Sequence, residues 1–397
     1  MLVMHRARPY TWLLLLLLAL TAVLGSQVRR PEPQLLHIAD GPPPVEAPTG
    51  ALLDAYQMAR EATVRIEGRC GPGRGITTGV GSGFFVTEEG LVLTAYHVVD
   101  TSNSSCNVRF VAINTDEEEF PLALVGFDAY MDVAALRADV DRLVPALQLS
   151  NSVPNPGAEV VAIGNSRGDF IAPRAGRVTR VGVRAGRADF ASGTLELTNS
   201  LAPGDSGGPI VNARGQAVAV VSYISFNPSA MSTQDWVPPY LRGIVLPSAF
   251  ASYAVPVTGG SDLVSGILAG DMRDVPVIGF TWQQGFDYDP RSSQVYLGSK
   301  PGTIVYLVAS GGPAAQAGLR SFSQSRVINP DGTGAIETTA DVIVAIDGEL
   351  TPNFADLLAV VREKSIGQTV TLTVQRGSAT FEIELTLGAK RAVFVGG

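Results

Sequence analysis

The stretch Gly204-Asp205-Ser206-Gly207-Gly208-Pro209 decides how the rest of the chain is read. A serine held between glycines, with another glycine two positions upstream, suits a tight turn that exposes its hydroxyl. Such a turn can also aim the N–H groups of Gly204 and Ser206 at one point. Acyl transfer needs that pairing of a nucleophile with donors for the oxyanion it creates. Ser206 is weak at its own pKa and needs a base. The chain has three histidines. His5 lies in a basic N-terminal leader and His37 in a proline-rich stretch, so His97 is the one in folded sequence. It follows a hydrophobic run in Thr94-Ala95-Tyr96-His97-Val98-Val99, and a strand over Leu91–His97 is expected to end on it. The base requires a carboxylate behind it to fix its tautomer and stabilise the imidazolium. Asp132, in Met131-Asp132-Val133-Ala134-Ala135-Leu136, abuts an apolar run, and buried acids are seldom left unpaired. Asp128, four residues earlier, is the alternative. Singly, these residues read as a turn, a structural histidine and a cap; together and in this order they read as catalytic machinery.

The surrounding composition suits a β-rich, two-domain protein. The chain has 397 residues, 46% hydrophobic and 17% charged, with 43 glycines and 26 prolines, so turns are frequent. Net charge is −8 and no dense Lys/Arg block occurs, which argues against nucleic acid as a partner. Neither cofactor nor metal is expected, because ligand spacing and spare histidines are lacking. Residues 1–30 read as a targeting segment, with Arg6 and Arg8 before an apolar run from Trp12 to Leu24. Two readings stand: a cleaved signal peptide, or an uncleaved anchor tying the protein to a membrane. Either places the remainder outside the cytoplasm. That compartment permits a disulfide between Cys70 and Cys106, the alternative being two inert thiols.

Residues 31–50 form a proline-rich tether. Leu52–Arg60 has helical spacing. From Thr63 to Tyr223 the chain becomes a series of short β-branched runs separated by glycine, the pattern of a sandwich or barrel. A short helix is expected over Asp262–Ala269 and a linker over Met272–Val275. A second domain then begins, with strands expected at Val277–Thr281, Thr303–Ala309, Asp341–Asp347, Thr369–Gln375 and Phe381–Leu387. Asn353–Glu363 is an amphipathic helix with Phe354, Leu357, Leu358 and Val361 on one face. Ile224–Phe250 and Arg320–Ala340 read as surface loops.

Four segments resemble the HtrA (Deg) family of trypsin-like serine proteases: Gly81-Ser82-Gly83-Phe84-Phe85-Val86, Leu93–Val99, Asp132–Leu136 and Pro203–Pro209. Ser252-Tyr253-Ala254-Val255-Pro256 is similar to the strand that closes the family's protease domain. The resemblance implies a mainly β protein: a chymotrypsin-like double β-barrel over residues 51–271, then a smaller α+β PDZ domain over 272–390. It also implies a triad of His97, Asp132 and Ser206, an oxyanion hole from Gly204 and Ser206, and a trimer of protease domains. The order His, Asp, Ser is that of chymotrypsin-type enzymes. Asp205 departs from the family's usual Asn. Enzymes activated by zymogen cleavage have Asp there and pair it with a new N-terminus, and none is evident here.

Val277-Ile278-Gly279-Phe280 resembles the loop with which PDZ domains hold a peptide's C-terminal carboxylate. On that resemblance Ile278, Gly279 and Phe280, with Leu357 across the groove, would bind C-terminal peptides. Thr198-Asn199-Ser200-Leu201-Ala202 should line the primary specificity pocket, and its lack of charge predicts cleavage after apolar rather than basic residues. The function expected is an endopeptidase for unfolded or damaged extracytoplasmic proteins, regulated through its PDZ domain. A non-proteolytic binder and an acyl-transfer esterase are the competing classes.

Overall fold

The computed structural model describes residues 46–395, except 103, 105, 186–189, 227–249, 284 and 329–332. The expected targeting segment, the tether up to residue 45 and most of the Ile224–Phe250 insertion lie outside the described residues. No helix among the described residues is long and apolar enough to cross a membrane.

An amphipathic helix α1 (Ala51–Arg60) leads into strands β1 (Thr63–Cys70), β2 (Ile76–Phe85) and β3 (Leu91–Thr94), a one-turn helix α2 (Tyr96–Val99), then β4 (Arg109–Ile113), β5 (Glu119–Asp128) and β6 (Val133–Ala138). These six strands run β5-β4-β1-β2-β3-β6, and β6 pairs back onto β5, closing a barrel. Strands β7 (Glu159–Gly164), β8 (Ala172–Val183), β9 (Thr194–Leu197), β10 (Pro209–Asn212), β11 (Ala217–Phe226) and β12 (Phe250–Pro256) close a second barrel. The mainly β, double-barrel architecture expected from the sequence is therefore present. Phe84, Leu93 and Val133 of the first barrel share one core with Ile163, Val211 and Val255 of the second. Ala55 and Ala59 of α1 seal that seam, so a short helix of small side chains covers it closely.

One local expectation is corrected here, and one left open is decided. Strand β3 stops at Thr94, and His97 sits on α2 rather than at a strand end. The ladder is broken because the Tyr96 N–H donates to the Asp132 carbonyl at 3.1 Å and the His97 N–H to Asp132 Oδ1 at 2.9 Å. Asp132 thus substitutes for a neighbouring strand. Cys70, at the end of β1, and Cys106, in the loop after α2, form a disulfide with Cα atoms 6.1 Å apart. The bridge anchors the segment that leaves His97.

Helix α3 (Asp262–Ala269) is capped by Ser261, whose Oγ accepts the Val264 N–H at 3.2 Å, and ends at Gly270 in the left-handed region. Strand β13 (Met272–Arg273) then adds in parallel to β5, opposite Phe127 and Asp128. The rest of the chain folds around a separate core that includes Ile278, Ile343, Leu357 and Leu372. Its strands are β14 (Pro276–Val277), β15 (Phe280–Thr281), β16 (Asp287–Tyr288), β17 (Gly302–Ile304), β18 (Leu307–Val308), β19 (Ser323–Ile328), β20 (Gly334–Thr339), β21 (Val342–Ile346), β22 (Glu349–Leu350), β23 (Thr369–Arg376), β24 (Ala379–Thr386) and β25 (Gly388–Ala389). Helices α4 (Pro313–Gln316), α5 (Phe354–Arg362) and α6 (Lys390–Val395) complete it. The main sheet runs β16-β17-β21-β23-β24, with β22 on β21.

The strand expected over Val277–Thr281 is split: Gly279, at φ 94°, turns the chain so that β14 pairs with β25 and β15 with β18. Arg320–Ala340, read as a loop, contains the antiparallel hairpin β19–β20. Its strands bury neither face, so no alternation of apolar residues marked them in the sequence.

Candidate active site

Strand β6 begins directly after Asp132, which holds φ 54°, a region non-glycine residues rarely adopt. From there its carboxylate reaches His97 twice. It takes the backbone N–H on Oδ1, and Nδ1 lies 2.8 Å from Oδ2 and 3.1 Å from Oδ1. A carboxylate can only accept, so Nδ1 carries the proton and Nε2 is left as the base. A further hydroxyl joins: Ser222 Oγ on β11 donates to Asp132 Oδ2 at 2.5 Å. Burial opposes a charged His97 imidazole, but the charge and hydrogen bond of Asp132 outweigh it, so its pKa lies above the ordinary value. The ring is still accessible, with 48% of the side chain exposed.

Asp128, the alternative acid, is used elsewhere. Its Oδ1 accepts the Tyr130 and Met131 N–H groups, both at 2.9 Å, and Oδ2 lies 3.3 Å from Arg273 Nη1 of β13. It stabilises the turn that delivers Asp132.

The turn that carries Ser206 belongs to the second barrel but is fastened to the first. Ser82 of β2 donates its N–H to the Ser206 carbonyl at 2.8 Å and its Oγ to the Gly204 carbonyl at 2.7 Å. Its own carbonyl receives Thr94 Oγ1 at 2.7 Å, and its Oγ receives Asn165 Nδ2 at 2.9 Å. Gly207, at φ 85°, packs where any side chain would strike the Ser82 carbonyl and Thr94 Oγ1. Among the described residues, the N–H groups of Gly204 and Ser206 donate to nothing, and Ser206 Oγ has no partner.

Ser206, His97 and Asp132 line one cleft of about 520 Å³. Leu201, Ala202, Val221 and Ile224 give it an apolar wall, extended by Phe190 and Tyr223, whose rings stack at 4.3 Å. Val275, Arg362 and Lys390 from the C-terminal region line the same cleft. Lys390 Nζ lies 2.5 Å from Asp100 Oδ2, three residues beyond His97. Burial pushes the Asp100 carboxyl up, but Lys390 and the hydrogen bonds from Ser102 together hold it below the usual range.

The residues expected to bind a peptide terminus are placed differently from one another. Ile278 and Leu357 are core side chains, 5% and 1% exposed. Phe280 is half-buried on β15, and the Gly279 carbonyl accepts the Ala309 N–H at 3.0 Å. Trp282 stacks on Phe354 at 4.6 Å, joining the β15 side to the start of α5. Sequence reasoning assigned no role to Ser82 or Ser222. Ser222 carried a faint signal, a hydroxyl interrupting the apolar run Ala217–Val221.

Comparison with known proteins agrees with this architecture. Residues 81–220 match the trypsin-like peptidase domain, and residues 276–387 match the PDZ domain. The chain is 27% identical over 322 residues to Protease Do-like 1, chloroplastic, of Arabidopsis thaliana, covering 79% of this chain and 65% of that protein. It is 26% identical over 327 residues to a probable periplasmic serine endoprotease DegP-like of Rhizobium meliloti, covering 80% and 55%. The crystal structure of the serine endoprotease from Yersinia pestis aligns over 87% of this chain and 99% of its own, with 21% identity and a TM-score of 0.42. The match thus spans 55–65% of the length of the two curated relatives. The chain carries a trypsin-like peptidase domain followed by one PDZ domain, and its relatives are Deg-type serine proteases.

Proposed function

We propose that this chain is a serine endopeptidase for unfolded or damaged extracytoplasmic proteins, with Ser206 as nucleophile, His97 as base and Asp132 as its orienting acid. The observation that carries the reading is the Asp132–His97 pair, facing a cleft that Ser206 also lines. His97 Nε2 takes the Ser206 proton as Oγ attacks the scissile carbonyl. The unpaired Gly204 and Ser206 N–H groups receive the oxyanion. The imidazolium, held by Asp132, then protonates the leaving amine. Water repeats the sequence to release the acyl group. In this reading residues 51–271 are the protease domain and 272–390 the PDZ domain.

The apolar wall of Leu201, Val221 and Tyr223 supports cleavage after small or medium apolar residues. The names of the relatives, periplasmic and chloroplastic, support an extracytoplasmic location. The second domain reads C-terminal peptides through the backbone of Ile278, Gly279 and Phe280, in a groove that Leu357 backs from the core, and this regulates the protease. Regulation is supported by Val275, Arg362 and Lys390 standing in the same cleft as Ser206. A peptide that shifts the C-terminal region would change that cleft directly.

Hydrolysis of unfolded casein, a folded protein and a small ester separates the alternatives. The proposal expects casein to be cut, the folded protein spared and Ser206→Ala inert. Ester turnover without casein cleavage would favour the esterase, and saturating C-terminal peptides that leave casein cleavage unchanged would remove the regulatory role.

A further inference from the structure

Asp205 stands between the two residues proposed to supply the oxyanion donors, and its side chain is buried. A counter-ion stands beside it without a newly cut N-terminus. Arg174 of β8 is buried beside it, each side chain 1% exposed, with Arg174 Nε 3.2 Å from Asp205 Oδ2. Ser166 bridges the pair: its Oγ lies 2.7 Å from Asp205 Oδ2 and 2.7 Å from Arg174 Nη2. Asp205 also accepts the Ser166 N–H at 3.2 Å and the Ala202 N–H at 3.0 Å. The guanidinium also donates to the Ala172 carbonyl, the Ser166 carbonyl and the half-exposed Asp169 carboxylate, while Nε makes an ion pair with Asp205 but no hydrogen bond.

Two features tie this pair to the turn's conformation. The Asp205 N–H donates to the Ala202 carbonyl at 3.0 Å while its carboxylate holds the Ala202 N–H, so the side chain closes the 202–205 loop on itself. Backbone also wraps tightly around the acid, since any side chain at Gly164 would collide with Asp205. The loop carrying Ser166 holds Arg167 at φ 59° and Ile171 at φ 48°, strained positions for residues with a Cβ. Its fixed path brings Ser166 and Arg174 to the acid. A buried carboxylate without a counter-ion would be driven to reorient toward water, and reorienting Asp205 would swing the peptide groups on either side of it.

We infer that Arg174 is a positioning residue of the nucleophile turn: an internal guanidinium that, by holding Asp205, keeps the Gly204 and Ser206 amides aimed at the oxyanion in the uncut chain. The inference rests on the serine-protease reading of the site.

Steady-state kinetics of the full-length chain on a short peptide substrate test it, with thermal melting run alongside. Arg174→Met is expected to lower kcat by about 100-fold or more, as loss of an oxyanion donor does, with KM nearly unchanged. Affinity for a peptide boronate, which mimics the tetrahedral intermediate, should fall in step with kcat. Arg174→Met combined with Asp205→Asn removes both charges and should recover kcat to within about tenfold of the parent. A folded Arg174→Met variant with parental kcat would overturn the inference. So would equal losses in kcat and boronate affinity that the double variant does not recover. If Arg174→Met fails to fold, the double variant decides: regained fold and turnover support the pairing, and a failure of either overturns it. A parent chain that shows no Ser206-dependent turnover would instead remove the protease reading itself.

Discussion

The nucleophile turn Gly204–Gly208 and the loop Val277–Thr281 both pass through a glycine of positive φ, 105° at Gly204 and 94° at Gly279. On the proposed function both would offer backbone N–H groups to an anion. Their supports differ in kind. The first is braced by polar side chains: Ser82 on the Gly204 and Ser206 backbone, Asn165 on Ser82, and the buried Asp205–Arg174 pair. The second is braced by apolar packing, with Ile278 and Leu357 in the core and Gly279 against Pro313. Hydrogen bonds and ion pairs fix direction as well as position, which an oxyanion present only in the transition state demands. Apolar contacts fix position alone, which is enough for a stable ligand that contributes its own binding energy. On the proposed function, the contrast separates a turn arranged for chemistry from one arranged for binding.

Changes on the polar side should carry the largest effects. Asp132→Asn leaves the backbone in place but spoils the tautomer, and should cut kcat by about 10,000-fold in peptide hydrolysis. The parent's own pH profile sharpens this. His97 is held above its ordinary pKa, so kcat/KM should rise with pH along a limb centred above about 6.5. The stability that the charged His97–Asp132 pair adds has the opposite sign: it is complete below the imidazole's unfolded pKa and lost as pH rises through the folded one. Any residual Asp132→Asn activity should show its limb at lower pH.

Ser222→Ala removes one donor from Asp132 and should cost about tenfold in kcat with little change in KM. A loss as large as that of Asp132→Asn would mean Ser222 touches the substrate. On the apolar side, Gly279→Ala forces a Cβ to 3.0 Å from Pro313 Cδ in a left-handed conformation. It should destabilise the C-terminal region by about 1–2 kcal/mol in denaturant melts and leave hydrolysis of a short peptide intact. Matching losses of turnover would break the separation between the two turns. The smallest effect is expected at Lys390→Met. Lys390 opposes protonation of His97, so its removal should move the kcat/KM limb slightly upward in pH.

Much of this was legible in the sequence. The β-rich first domain declared itself through short β-branched runs, its double barrel through the family resemblance, and the candidate triad through a motif and the elimination of His5 and His37. The one-turn helix under His97 did not, because it forms only when Asp132, 35 positions away, captures the His97 N–H. Ser82 and Ser222 were hidden for a similar reason: a single serine in a strand has no periodicity, and its role comes from a partner 122 or 90 positions distant. The Asp205 counter-ion was invisible because Arg174 lies in a stretch, Arg167–Arg180, whose three other arginines bind Ser200, Glu159 and Glu196 instead. The β19–β20 hairpin was missed because it buries neither face. Long-range polar partnerships are what a linear reading loses, and in this molecule they are concentrated around the nucleophile.

The most direct measurement is mass mapping of the adduct formed with a serine-directed phosphonate. The account predicts one adduct, on Ser206, in the parent chain, and essentially none in His97→Ala. Labelling that persists undiminished in His97→Ala, or that falls on another serine, would contradict it.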